Sequence, residues 1–176
     1  YAEGPVHLVM ANLPSSWGTI TYLNDTVKQQ SRISNNAQTF TRASRSSVQT
    51  ITGGAGFTDV VFNAAQINAA GSFNTSTGVL TVSYAGIYRV SAQVSLDAIV
   101  GSEVADIRIL QGGSEVQRRT FNAEITRNYP SYTIEFIGYA AAAETFKVQI
   151  SLSNTHNVFG EAGAAYTTFS AELLSR

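Results

Sequence analysis

The chain predicts an all-β antiparallel sandwich, and three observations carry that prediction. Apolar and polar residues alternate with period two through most of residues 46–176, the pattern of strands buried on one face only. Turn chemistry rich in Gly, Asn and Ser separates the alternating runs at short intervals. No segment shows a convincing helical spacing of apolar residues. Together they give eight to ten short strands, the number and spacing of a sandwich or jelly roll.

Taken in order, residues 47–52 and 57–63 read as strands on either side of Gly53-Gly54-Ala55-Gly56. That stretch lacks a following helix to hold phosphate and reads as an interstrand loop. Asn74-Thr75-Ser76-Thr77-Gly78 is a turn, and residues 80–84 alternate behind it. From Tyr88 to Asp97 every even position is apolar and every odd one polar. Residues 106–109 and 116–117 flank Gln111-Gly112-Gly113-Ser114, whose two glycines suit the positive φ of a tight hairpin. Residues 132–136, 146–153 and 167–174 complete the set.

Residues 1–45 differ. They hold the only Trp and Met, two of three prolines, and a polar tract from Gln29 to Ser47. Their cations Lys28, Arg32, Arg42 and Arg45 outnumber Glu3 and Asp25, whereas the rest of the chain is net acidic. The reading is an N-terminal arm or attachment segment over 1–45, with short strands at 6–10 and 19–23, joined to a β domain over 46–176. Alone the arm is too short to bury a good core.

Composition narrows the function. The chain of 176 residues carries 11 basic and 12 acidic side chains, a net charge of −1, no cysteine, and only 13% charged residues. Nucleic-acid binding and a disulfide scaffold are therefore disfavoured. No apolar run approaches the roughly 20 residues of a spanning helix, so no membrane insertion is expected. Lysine occurs only at 28 and 147, leaving little of the charge that usually guards strand edges. Partner protein is expected to cover part of this surface.

From Phe62 the chain resembles the globular heads of the C1q and tumour necrosis factor superfamily. Phe62, Asn68, Phe73, Leu80, Gly86, Tyr88, Val90 and Ala92 fall on every spacing of its signature, with Leu80, Val90 and Ala92 replacing preferred aromatics. Phe73-Asn74-Thr75-Ser76-Thr77-Gly78 resembles its Asn-x-x-Thr-Gly turn, Leu110-Gln111-Gly112-Gly113 its hairpin, and Thr168-Phe169-Ser170-Ala171-Glu172-Leu173-Leu174 its closing strand. Ala142-Ala143-Glu144-Thr145 departs from the Gly-Asp of many relatives. The resemblance implies a ten-stranded C1q/TNF-like jelly roll that assembles as a homotrimer. Phe136, Tyr139 and Phe146, with the alanines at 140–143, are the candidates for surface near the three-fold axis.

Catalytic patterns are scarce. His7 and His156 lie far apart, and neither belongs to a metal-ligand, nucleophile-elbow or phosphate-loop motif. The expectation is a protein that is not an enzyme and holds no cofactor. Calcium is the one weakly supported ion: Asp97, Glu103 and Asp106 offer oxygens, and some relatives bind it. Arg118 and Arg119 are adjacent on a strand, point to opposite faces and make no cationic patch. The favoured ligand-binding loop runs from Asn154 to Glu161, where Asn154, His156, Asn157 and Phe159 mix the amide, imidazole and aromatic groups that recognise sugar hydroxyls.

Three settings fit these features. The main reading is a receptor-binding or host-attachment head of a phage fibre or spike, at the virion surface, facing a cell-surface receptor or glycan. The second is a trimeric capsid decoration or cement protein gripping other virion proteins through residues 1–45. The third is a secreted, extracellular ligand of the same superfamily.

Overall fold

The computed structural model describes residues 40–176. The expected strands at 6–10 and 19–23, His7 and nearly all of the arm lie outside that range. Among the described residues there are fifteen strands and no helix. Five of them, β1 (Phe40–Ser44), β4 (Ala64–Asn68), β7 (Gly86–Ser95), β12 (Ser131–Ala140) and β15 (Thr168–Ser175), form one sheet in the order β12-β7-β15-β1-β4. The second sheet runs β10 (Ser114–Asn122), β9 (Val104–Gln111), β13 (Thr145–Leu152), β6 (Val79–Val82) and β5 (Gly71–Asn74), with β3 (Thr58–Asp59) also on β13. Two small pairs, β8 (Ala98–Ile99) with β11 (Arg127–Asn128) and β2 (Gln49–Ile51) with β14 (His156–Val158), adjoin one another at the end where β7 and β13 finish. Every pairing is antiparallel.

Period-two alternation builds the core directly. Tyr88, Val90, Ala92 and Val94 of β7 join Phe169 and Ala171 of β15 on one inner face; Ile107 and Ile109 of β9 with Val148 and Ile150 of β13 form the other. All ten are essentially without exposure, and each fully buried large aliphatic or aromatic side chain contributes about 1.5–3 kcal/mol. The Phe62 and Phe73 rings both pack on the Phe169 ring, 5.6 and 5.4 Å between centroids. The signature residues are thus mostly core. The exception explains itself: Asn68 is exposed, and its Oδ1 accepts the Phe73 amide at 3.1 Å, bracing the turn from β4 to β5.

Two turns behave as their sequences predict. Asn74 Oδ1 accepts from the Ser76 amide at 2.9 Å while Gly78 donates to the Asn74 carbonyl at 2.8 Å, with Gly78 at φ 71°. Gly112 and Gly113 take φ of 56° and 88° between Gln111 and its partner Ser114, a two-residue hairpin of the I′ kind.

Three expectations change. The jelly roll does not start at residue 46: β1 lies between β15 and β4, hydrogen-bonded to both. Its polar alternation conceals buried Thr41 and Ala43. Residues 57–63 are not one strand, since only Thr58–Asp59 pairs, although Val60 and Phe62 are buried. Phe146 is wholly buried against Tyr88 and Phe136, 6.2 and 6.3 Å between centroids, so it belongs to the monomer core and is not available at a subunit boundary.

Candidate functional site

Two carboxylates organise the end of the sandwich where β7, β9 and β13 meet their loops. Asp97 follows β7, Glu103 precedes β9, and Asn154, His156 and Asn157 come from the turn after β13 and from β14. His156 Nε2 lies 2.8 Å from Glu103 Oε2, and its Nδ1 lies 3.6 Å from Asp97 Oδ1. The side chains of His156 and Glu103 are only 12% and 9% exposed. Glu103 also accepts from the Val100 amide at 2.6 Å and from the Asn154 amide group. Asp97 accepts from the Asn157 side-chain amide at 2.8 Å, the Asn157 backbone at 3.1 Å and the Ala98 backbone at 2.8 Å.

Electrostatics follow from those bonds. Burial pushes both carboxyls up, but the hydrogen bonds outweigh it, from Val100, Asn154 and His156 on Glu103 and from Asn157 and Ala98 on Asp97. Both are therefore held below the usual carboxylate range. The cluster ties three loops together and engages part of the expected ligand loop: Asn154 and His156 bond Glu103 and Asn157 bonds Asp97, while Asn154 itself stays exposed. No sequence signal announces this pairing, because His156 and Glu103 are 53 residues apart.

Phe159, half-buried, is the aromatic member of the loop. Its ring meets Tyr129 at 5.4 Å and Tyr166 at 4.9 Å, edge to face in both cases. Tyr129 and Tyr166 are exposed. Neither tyrosine stands out in the sequence.

The calcium candidates do not converge. Asp97 and Glu103 turn to His156, whereas Asp106 binds Arg118 Nη2 at 2.8 Å and the Thr120 hydroxyl. Among the described residues no group of three or more His, Asp or Glu is arranged as a metal set. Arg118 and Arg119 diverge as expected, Arg118 to Asp106 and Arg119 to the Thr133 carbonyl at 3.1 Å over the Phe121 ring.

The remaining interface candidates lie on β12, an edge strand. Tyr139 is 60% exposed and Ile137, two residues earlier on the same face, is 50% exposed. Ile87 stands directly opposite Tyr139 across the β7 pairing. Phe136 points the other way, half-buried against the core, with its ring packed over Gly138. Ala140 is buried, and Ala143 takes the turn into β13 at φ 67°.

No family model and no curated protein sequence matches the chain. Solved structures do. Eiger TNF from S. frugiperda superposes with a TM-score of 0.59 at 8% identity, over 77% of this chain and 92% of its own. The globular domain of zebrafish complement 1qA gives 0.55 at 13%, over 78% and 98%. Murine APRIL gives 0.52 at 15%, over 77% and 98%. With so few shared residues, what is common is the fold: the described part of this chain has the jelly-roll fold of the C1q and TNF proteins.

Proposed function

We propose that this jelly roll is a non-enzymatic, homotrimeric recognition module of the ligand type, acting outside the cell. The observation that carries the reading is the β12 edge. Ile137 and Tyr139 present adjacent apolar side chains on a strand whose outer hydrogen-bonding side has no neighbour within its sheet. Two outward carbonyls of that edge, Thr133 and Tyr139, are taken by the Arg119 and Gln111 side chains, so it is the exposed apolar pair that invites cover by protein, and the solved structures of like fold make a second copy of the chain the occupant favoured. The centre of the same face carries Arg89, 3.8 Å from both Glu135 and Glu172. These half-exposed pairs are worth little in stability and cost little to rearrange.

The likeness to insect TNF, zebrafish complement and murine APRIL supports the secreted-ligand setting over the virion setting, which has only composition behind it. A receptor of protein or glycan nature is the partner proposed.

Light scattering on the purified protein is expected to give a mass near three chains. Ile137→Arg with Tyr139→Arg should shift it to one chain while the circular dichroism of the β domain is kept. A wild-type monomer at micromolar concentration would remove the trimeric reading.

A further inference from the structure

A cleft of about 540 Å³ opens between the last residues of β10, the loop to β11, and the first residues of β12. That volume is in the range of small-molecule sites. Its wall is the Phe121–Tyr132 ring pair, 4.4 Å between centroids. Asn122, Glu124 and Arg127 line it, together with Thr120 and Ser131. Neither Arg127 nor Glu124 has an ion-pair or side-chain hydrogen-bond partner among the described residues. The same is true of the Tyr132 hydroxyl and the Asn122 amide. Elsewhere in the domain charged groups are mostly spent on one another: Arg108 on Glu115, Arg118 on Asp106, Lys147 on Asp59. Unspent polar groups gathered on one aromatic-walled concavity are what a polar ligand requires.

The cleft is also held in place. Arg127 pairs with Ile99 across β11 and β8. The Ser102 amide donates to the Ala123 carbonyl at 2.7 Å, and the Ala123 amide to the Glu103 carbonyl at 2.8 Å. Two non-glycine residues beside it take left-handed φ, Ser102 at 77° and Tyr129 at 53°. Such strain persists where surrounding structure enforces it and gathers at ligand clamps. Burial raises the Tyr132 phenol, against the opposing charge of Arg127, so the hydroxyl stays protonated at neutral pH and can both donate and accept.

We propose that this cleft binds a sugar bearing a single carboxylate, with Arg127 pairing the carboxylate, Glu124, Asn122 and Tyr132 bonding ring hydroxyls, and the Phe121–Tyr132 wall packing the ring. Guanidinium geometry matches a carboxylate through two parallel bonds. Glu124 accepts hydroxyls and repels any second anionic group, which disfavours sulfated polymers and nucleic acid. The site is complete within one chain and does not rest on assembly. It lies at the opposite end of β12 from Tyr139, roughly 25 Å along the strand.

Glucuronate, titrated into the purified protein and followed by calorimetry and saturation-transfer NMR, is expected to bind at one saturable site per chain. Glucose should bind at least about tenfold more weakly, and Arg127→Gln should weaken glucuronate by about tenfold or more. Arg127 is exposed, so the melting temperature should not move. Ile137→Arg should leave binding unchanged whatever it does to assembly. A glucuronate-ended disaccharide that binds more tightly than glucuronate marks a glycan terminus as the source; one that does not marks the free sugar acid. No saturable signal at tens of millimolar glucuronate, equal competition by glucose, or wild-type affinity in Arg127→Gln would overturn the site.

Discussion

Glu103 shows how much one side chain can hold. It is buried, charged and triply bonded, so its contribution depends on keeping its proton off. The folded-state pKa is depressed, and the same is true of Asp97. The stabilisation from each is therefore present above the ordinary carboxylate value near 4 and is lost as pH falls through the lower folded value. Glu103→Gln places an amide where three donors converge, leaving at least one without an acceptor. It should cost about 1–3 kcal/mol at pH 7 by urea unfolding. At pH 3 the wild type has begun to lose the same interaction, so the difference between the two should shrink. A difference that stays constant from pH 7 to pH 3 would show that the carboxylate charge contributes nothing.

The turns carry a comparable test among the elements. Gly78 and Gly54 have nearly the same φ, 71° and 70°. A Cβ on Gly78 would stand 2.5 Å from the Val60 carbonyl oxygen, while one on Gly54 meets nothing within 4 Å. Alanine at Gly54 should cost only the left-handed backbone penalty, about 1–2 kcal/mol. Alanine at Gly78 must also displace the Val60–Phe62 segment that seals the core, and should cost more than that in thermal or urea unfolding. Equal costs would mean that this segment yields freely. The contrast explains what the sequence made legible. β7, β9, β13 and β15 announce themselves because each buries one face and alternates cleanly. β1 and β4 do not, because polar residues such as Thr41, Ser44, Gln66 and Asn68 serve the sheet through hydrogen bonds, Thr41 Oγ1 accepting the Ala70 amide at 3.2 Å. The acidic cluster and the cleft were invisible for a different reason: they join loops whose residues are neighbours only after the two sheets pack.

At the scale of the whole molecule, the boundary of the folding unit decides what can be separated from what. Residues 1–45 look like one appendage by composition, yet Phe40–Ser44 forms β1, which is the sole link between β15 and the edge strand β4. Thr41 pairs with both Ala171 and Asn68, and Ala43 with both Phe169 and Ala65. Removing β1 would unpair an inner strand on one side and strand β4 entirely, and would open the core at Ala43. Arg45 adds to this: its Nη2 donates to the Val48 carbonyl at 3.0 Å and its Nη1 to the Val61 carbonyl, clamping the β1–β2 corner onto the segment that carries Phe62. A chain beginning at Ser46 should therefore fail to fold, giving little near-ultraviolet circular dichroism and no cooperative melting. One beginning at Asn36 should melt cooperatively, because every pairing of β1 is retained. If the chain from Ser46 folds as well as the chain from Asn36, β1 is dispensable and the jelly roll closes without it. If the chain from Asn36 folds and also scatters as three chains, the assembling surface belongs to the β domain, as the exposure of Ile137 and Tyr139 on β12 requires.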